Sequence, residues 1–223
     1  MRARLRLPYR YKPQWPKVRF AMPTYPSDLS LRDGRAQYFL HAGFGDGGYT
    51  DRWVRLKAGR FTLMFPNTAA RVRAVKLHDL HHVLTEYDTT WTGEAEIGAW
   101  EIASGCGRHY PAWLLNFGAF VIGLVLAPRE TYRAFVRGRH SANLYRTERS
   151  EALLDRRIGE IRRELSIDPA FSPPATLSDN LSFLCWVLLA IAPGAIGVAI
   201  VRAGLSRLFG KESPDPTAGM ADG

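Results

Sequence analysis

The sequence predicts an all-α fold: a helical domain with a metal site between two antiparallel helices, followed by an apolar C-terminal segment at a membrane. Three observations predict it. Apolar and histidine residues recur at helical spacing after residue 68. Two long stretches, 112–127 and 181–201, carry no charged residue. Periodic strand patterns are scarce, and the best short strand candidate runs from Arg60 to Phe65.

The balance of charge favours an acidic partner. The chain has 223 residues and a formal net charge of +9, with arginine concentrated in the first 20 residues and between residues 129 and 163. Such an excess suits nucleic acid or an anionic membrane surface. No known nucleic-acid motif is present, so the sequence predicts membrane lipid, and no nucleic acid, as the partner.

Four segments differ in composition. Residues 1–59 form a basic, proline- and glycine-rich arm and loop region, and residues 60–168 form the helical metal-binding core domain. Residues 169–210 are a linker with the membrane-anchoring apolar segment, and residues 211–223 are a disordered tail. The N-terminal arm is either solvated or lies on anionic lipid headgroups with its aromatic side chains at the interface. The glycine-rich residues 40–50 are expected to form a flexible loop.

Two helices dominate the first half of the core domain. Asn67 or Thr68 can cap a first helix from about Ala69 to about Thr85. A turn-rich stretch follows, and a second helix is expected from near Glu94 to Ser104-Gly105, where glycine can end it.

The second half is less sharply defined. The uncharged run 112–127 is expected to be a core or monotopic helix, with a short membrane-inserting helix as the alternative. Residues 129–168 are expected to form a charged surface helix. Residues 181–201 reach the length of a spanning helix, which Pro193-Gly194 would kink or turn into a hairpin. The surface helix has one apolar stripe, made by Leu154, Ile158, Ile161 and Leu165.

The residues that carry chemistry lie in His78-Asp79-Leu80-His81-His82, which Glu94 follows after eleven residues. His78 and His82 are four apart and project to one side of a helix, which makes half of a metal site. A turn between two antiparallel helices would bring Glu94 back toward them. Glu101 shares the face of Glu94 and is expected deeper in the same cleft, whereas His81 is expected to face solvent.

The predicted catalytic and metal-binding residues are therefore His78, Asp79, His82 and Glu94. Asp79 either binds the metal or accepts the spare imidazole N–H of a histidine. A mixed nitrogen and oxygen site fits zinc best, with iron or manganese as alternatives. Fewer than four firm ligands would leave a position open for substrate, as in catalytic sites. The competing interpretation is a polar helix face, but carboxylates on an otherwise apolar helix favour the metal site.

The same spacing resembles the H-D-x-x-H, eleven residues, E signature of the coenzyme Q biosynthesis protein four family. The resemblance covers roughly residues 60–168 and extends more weakly to Gly138-Arg139 and to the segment from Arg162 to Ile167. It implies an all-helical, membrane-associated protein of ubiquinone synthesis, in which the motif residues bind a metal, usually zinc. The basic arm and the apolar segment 181–201 depart from the family pattern and indicate a divergent, membrane-anchored member.

The resemblance also implies a function. Members of that family are thought to act on the head group of a polyprenylated benzoquinone precursor, replacing a ring carboxylate with a hydroxyl, and to organise the other quinone-biosynthesis enzymes. The expected location is the cytoplasmic face of a bacterial inner membrane, or the equivalent matrix face. Two alternatives stay open: a non-catalytic lipid-binding scaffold, and a metal-dependent phosphohydrolase, which would need further ligands such as His109 and His140.

Overall fold

A computed structural model describes residues 24–45, 47–58, 61–146 and 151–192 of the chain. The chain divides into two compact units, residues 1–179 and 180–223. The all-α prediction is confirmed in outline, because the described residues are mostly helical and their strands form one two-stranded antiparallel hairpin. Three predicted segments lie wholly or partly outside the described residues: the first 23 residues of the arm, residues 193–201 of the apolar segment 181–201, and the tail 211–223.

The described part of the first unit begins with a helix and a hairpin, continues with three helices of 14 to 17 residues, and ends with shorter helices. In chain order they are α1 (Leu31–Ala42), β1 (Trp53–Ala58), β2 (Phe61–Pro66), α2 (Ala69–Thr85), α3 (Trp91–Ser104), α4 (Tyr110–Leu126), α5 (Pro128–Arg139), a 3-10 turn (Leu144–Arg146), α6 (Glu151–Asp155) and α7 (Ile158–Glu164). A further helix, α8, covers residues 177–192 and crosses the boundary between the units. None of the described helices combines the length and apolar character that crossing a bilayer requires.

Local signals place the two long helices. Thr68 caps α2 by accepting a hydrogen bond from the Arg71 N–H, and the predicted span 69–85 is confirmed. Thr90 caps α3 in the same way through the Gly93 N–H, so α3 begins at Trp91, three residues before the predicted start. Only residues 86–90 connect the helices, which keeps them neighbours.

Helix α3 is the centre of the core and packs against α4 and α5. Trp100 of α3, Phe120 of α4 and Phe135 of α5 are fully buried. Glycine allows the close approach: a Cβ on Gly98 would meet the Asn116 carbonyl oxygen at 3.1 Å, and a Cβ on Gly138 would overlap the Trp100 carbonyl. The run 112–127 thus belongs to a helix with one face in the core, as its core interpretation predicted.

Helix α1 was not predicted, and it lies in the segment interpreted as arm and loop. α1 packs on α2, and Leu31 and Tyr38 are buried there. The chain before it is held too, because the Leu31 N–H donates to the Arg156 carbonyl and the Ile158 N–H donates to the Leu29 carbonyl. Residues from 25 onward therefore contribute to the core that supports α2.

The expected surface helix over 129–168 is wrong. The chain forms α5, a 3-10 turn, α6 and α7 instead. The apolar stripe is correctly grouped, but its four residues, Leu154, Ile158, Ile161 and Leu165, are all buried. Arg157 interrupts the helix by forming a β-bridge with Ser30, so the stripe packs against the unpredicted N-terminal segment rather than facing solvent on one side.

The end of α2 is fixed by a buried arginine. Glu86 caps the helix in the left-handed conformation, with φ 60°, which is unfavourable for a residue with a Cβ. Its carboxylate accepts from Arg162 at 2.7 Å and from the Tyr25 N–H at 2.9 Å. Arg162 also donates to the carbonyls of Val83 and Leu84. These bonds offset the strain and hold the turn that leads into α3.

Candidate metal centre

The structure brings together three of the four predicted ligands. The ligand atoms of His78, His82 and Glu94 all lie within 4.8 Å of one another. The Nε2 atoms of the two histidines are 3.2 Å apart, and each lies 3.6 Å from a Glu94 carboxylate oxygen. His82 and Glu94 lie at the turn between α2 and α3, while His78 and Glu101 meet farther from it, as antiparallel helices require.

These distances fit a shared cation. Two nitrogen ligands at about 2.0–2.1 Å from zinc in tetrahedral geometry stand about 3.3 Å apart, close to the observed 3.2 Å. A carboxylate oxygen on the same ion would lie at a similar distance from each nitrogen. Three protein ligands leave further positions open for water or substrate, as is usual in catalytic sites.

Both imidazoles are oriented through their other nitrogen. His82 Nδ1–H donates to the Tyr87 carbonyl at 2.9 Å, and His78 Nδ1–H donates to Glu101 at 2.9 Å. These bonds direct both Nε2 atoms toward Glu94. A carbonyl or carboxylate behind the ring is the common arrangement around histidines that bind metal. Tyr38 of α1 adds a stacked contact, with its ring centroid 5.2 Å from that of His82.

Glu101 organises the buried side of the cluster. One carboxylate oxygen accepts from His78 and His81, and the other accepts from Asn116 and, at 2.8 Å, from the Tyr145 hydroxyl. The side chain is fully buried, yet four donors satisfy it. The expectation that Glu101 lies deeper in the cleft is confirmed, and it acts on His78 as a positioning residue.

The expectation that His81 faces solvent is wrong. His81 is fully buried, with Nδ1–H donating to Glu101 at 2.6 Å and Nε2 accepting from the Leu144 N–H at 3.0 Å. Both ring nitrogens are therefore used, and His81 has no lone pair left for a metal. The pattern of α2 alone could not show this, because the 3-10 turn that covers His81 lies more than sixty residues further along the chain.

Asp79 lies outside the group of three. Its carboxylate accepts a short hydrogen bond from the Tyr49 hydroxyl, and burial raises the pKa of Asp79 to about 6. Asp79 does not accept the spare imidazole N–H of either histidine, since these go to Glu101 and the Tyr87 carbonyl, and its place as a ligand stays a prediction. Tyr49 comes from the glycine-rich stretch that the sequence analysis interpreted as a flexible loop, so this contact had no sequence signal.

The charge of the cluster suits a cation. In the described part of the chain, the ion pairs of Glu94 and Glu101 are all with histidines rather than with arginine or lysine. Burial lowers the pKa of His82 to about 4, so that ring is neutral at physiological pH. Burial also disfavours the charged form of His78, but the Glu101 and Glu94 carboxylates outweigh it and hold the His78 pKa well above its usual range. The buried Glu101 carboxylate and the partly exposed Glu94 carboxylate thus lack a permanent positive partner.

Metal affinity is expected to rise with pH because His78 must lose its Nε2 proton before that nitrogen can bind an ion. Below the raised pKa of His78, the affinity should increase about tenfold per pH unit, with about one proton released per ion bound. His82 adds no proton above about pH 5, since its pKa is about 4. Zinc titration calorimetry at pH 6 in buffers of different ionisation enthalpy measures the released protons. A pH-independent affinity would contradict this protonation scheme.

Two of the three clustered residues, His78 and Glu94, line a mainly apolar cavity of about 560 Å³, and His82 is buried behind them. His78, Asp79 and Glu94 line it, and α1, β1, β2 and α4 supply most of the remaining wall. The apolar lining includes Tyr38, Phe44, Val54, Phe65, Leu114, Leu115, Ala119 and Ile122. A predominantly apolar pocket with a few convergent polar groups is the usual form of a small-molecule site.

Three supporting residues were missed by the sequence analysis. Asn116 carried a signal, because it is the one amide in the apolar run 112–127 and needs a partner when buried. Tyr145 and the Tyr87 carbonyl carried none, since their roles depend on packing between distant segments. Among the described residues, the phosphohydrolase alternative gains no second ligand set: His140 pairs with Asp179 at 2.9 Å, and His109 contacts the Tyr145 ring.

Comparisons with known proteins give no identification. No protein-family model, curated protein or solved structure matches the chain. A functional proposal therefore depends on the geometry of His78, His82 and Glu94, on the cavity beside them and on the spacing of the motif.

Proposed function

We propose that this chain is a metal-dependent enzyme of ubiquinone synthesis that acts on the head group of a polyprenylated benzoquinone precursor. The reaction would be an oxidative decarboxylation and hydroxylation of the ring, in the lyase and oxidoreductase classes. One observation carries the proposal: His78 and Glu94, which form a group with metal-binding geometry together with the fully buried His82, line a cavity whose wall is mainly apolar. A polar reaction centre beside an apolar cavity suits a ligand with a reactive ring and a hydrocarbon tail.

His78, His82 and Glu94 would hold the ion, which we propose is zinc, with iron or manganese as the alternatives. When bound, the metal supplies a positive charge beside the ring carboxylate, and iron or manganese could also activate oxygen. Glu101 keeps the His78 ring in place and maintains its Nδ1 proton. Asp79 lies in the same cavity wall, and burial raises its pKa to about 6. Its carboxyl group could therefore exchange a proton with the substrate ring near neutral pH.

The cavity fits the proposed substrate in size and character. A volume of about 560 Å³ is in the usual range for small-molecule sites and holds a substituted ring with the first part of a prenyl tail. Leu114, Leu115 and Ile122 of α4 give the tail an apolar wall. Each methylene group buried there contributes roughly 0.8 kcal/mol to binding.

The position of Arg71 in the cavity wall favours a substrate with an anionic head group. Its guanidinium lines the cavity, donates to Asn67 Oδ1 at 2.8 Å and makes no ion pair with a described carboxylate. Burial lowers the pKa of Arg71, which shows that its charge is poorly solvated. Arg71 is half-buried and its Nε has no hydrogen-bond partner, so a substrate carboxylate would supply one.

The test is a single-turnover assay with a prenylated hydroxybenzoate labelled with ¹³C at the ring carboxylate. Metal-loaded wild-type protein, supplied with dioxygen and a two-electron reductant that takes the second oxygen atom to water, should release labelled CO₂ and give a product with one new hydroxyl. Glu94→Gln should bind the lipid but release no label. The protein should also be purified gently from membranes for mass spectrometry of bound lipid and elemental analysis.

The outcomes separate enzyme from scaffold. If the wild-type protein holds the lipid but releases no label with zinc, iron or manganese, the enzymatic proposal is wrong. The non-catalytic scaffold that presents prenylated intermediates to other quinone-biosynthesis enzymes then stands. If neither lipid nor metal is found, both proposals fail. The proposed location is the cytoplasmic face of a bacterial inner membrane or the equivalent matrix face.

A further inference from the structure

We propose that the outward face of α4 is a membrane-docking surface, which seats the cavity mouth against the acyl chains of an anionic bilayer. Five apolar residues of α4 are exposed: Tyr110, Leu114, Ile122, Val125 and Leu126. With the exposed Gly118 between Leu114 and Ile122, these positions recur three to four residues apart or side by side, so they cover one side of the helix. Leu114 is 74% exposed and Val125 is 79% exposed.

This face lacks the polar residues that a solvent-facing helix normally carries. The whole of α4, Tyr110–Leu126, contains no charged side chain. Contiguous exposed apolar surface of this kind marks an interaction site in a folded protein. A helix of 17 residues is about 25 Å long, which suits a helix that lies in the plane of the interface.

Continuity with the cavity indicates what the face contacts. Leu114, Gly118 and Ile122 line the cavity and are also exposed to the outside, so α4 forms the edge between the interior and the surface. Trp91 at the start of α3 also lines the cavity, and its side chain is 50% exposed. A lipid could therefore pass from an apolar phase at this face into the cavity without crossing water.

Charge complementarity indicates the chemistry of the bilayer. Arg108 precedes α4 and Arg129 follows it, and both are exposed. Arg73 of α2 is exposed near the same end as Arg108, because burial and then the charge of Arg73 lower the pKa of His109 at the start of α4. None of the three forms an ion pair with a described carboxylate. Arginines at the two ends of an apolar helix face match anionic headgroups around a shallowly inserted helix.

The proposal does not depend on the metal chemistry, and the experiment uses the full chain. In a Cys185→Ser background, in which Cys106 stays buried, a fluorophore sensitive to polarity is attached at Leu114→Cys or Val125→Cys. Leu40→Cys on α1 is the matched control, because Leu40 is 85% exposed and lies outside this face. Vesicles contain phosphatidylglycerol and phosphatidylcholine, and a second set contains phosphatidylcholine alone.

With anionic vesicles, labels at positions 114 and 125 should shift to the blue and be quenched by lipid-borne quenchers, while the label at position 40 stays in water. Val125→Glu combined with Leu126→Glu, neither of which lines the cavity, should weaken vesicle partitioning about tenfold or more, whereas Leu40→Glu should leave it unchanged. Neutral vesicles should bind more weakly. The double variant should retain its metal, so a failure here is separate from a failure of the enzymatic proposal.

Three results would overturn the docking proposal. The label at position 114 could stay in water on vesicle-bound protein, which would place the membrane contact elsewhere. It could be shielded from iodide without vesicles at every protein concentration, which would mean that another segment of this chain covers the face. Shielding that grows with protein concentration would identify a second copy as the partner.

Discussion

Replacing His82 with alanine is expected to abolish stoichiometric metal binding. His82 is fully buried, it is neutral because burial lowers its pKa to about 4, and its Nε2 lies 3.2 Å from that of His78. No other described histidine, cysteine or carboxylate completes a group of three with His78 and Glu94. The loss should exceed the 10–100-fold that typically follows removal of a residue behind a ligand. Elemental analysis and zinc titration of the purified variant measure it.

Glu94→Gln separates ligand loss from damage to the fold. The Glu94 side chain is 32% exposed, so an isosteric amide can be accommodated, and the affinity should still fall by about 100-fold or more. His41→Ala is the matched control, because His41 lies on α1 outside the cluster and its loss should leave the metal content unchanged. Wild-type metal content in both His82→Ala and Glu94→Gln would show that the ion is bound elsewhere.

Replacing Glu101 with leucine is expected to cause the largest loss of stability. The change leaves the donors of His78, His81, Asn116 and Tyr145 without an acceptor in the core. Breaking such a buried, hydrogen-bonded charge cluster typically costs about 3–5 kcal/mol. For a domain of this size, that corresponds to a fall in Tm of roughly 10 °C, measured by thermal denaturation without added metal.

Two further variants isolate the cause. Glu96→Gln on the same helix removes a carboxylate whose pKa burial and nearby acids raise to about 7, so it should be neutral or slightly stabilising. Glu101→Gln preserves shape and should fold, yet weaken metal binding by about 10–100-fold because the His78 ring loses its carboxylate partner. A Glu101→Leu variant as stable as the wild type would show that the hydrogen bonds to Glu101 do not stabilise the folded core.

Local sequence was sufficient for the two helices that carry the cluster. Thr68 and Thr90 are capping residues, and the interval between His82 and Glu94 is long enough for a turn but too short for another element. These facts place His78, His82 and Glu94 near one another before any long-range contact is known. The fold class and the burial of Glu101 followed from the same local patterns.

Contacts between distant segments could not be predicted in this way. His81 was expected to face solvent. α2 is instead enclosed by α1, α3, α4 and the 3-10 turn at Leu144, and the sequence analysis identified neither α1 nor that turn. Tyr49, which bonds to Asp79, lies in a glycine-rich stretch whose path depends on the residues it meets.

The segment from 129 to 168 shows the same limit in another form. Its apolar stripe is correctly spaced, but helical periodicity does not reveal that Arg157 leaves the helix to pair with Ser30. A stripe of four residues needs a partner surface, and here that surface includes the N-terminal segment around Leu31. Helical periodicity identifies which residues are buried together. Whether the helix stays continuous depends on the N-terminal segment against which those residues pack.

The coordination of zinc in the loaded protein tests the central claim most directly. X-ray absorption spectroscopy of the one-to-one complex should show two imidazole nitrogens and a carboxylate oxygen at about 2.0–2.2 Å, with water completing the shell. One imidazole should disappear from the spectrum of any complex that His82→Ala still forms. Sulfur at about 2.3 Å, or an unchanged number of imidazoles in that variant, would contradict a site built from His78, His82 and Glu94.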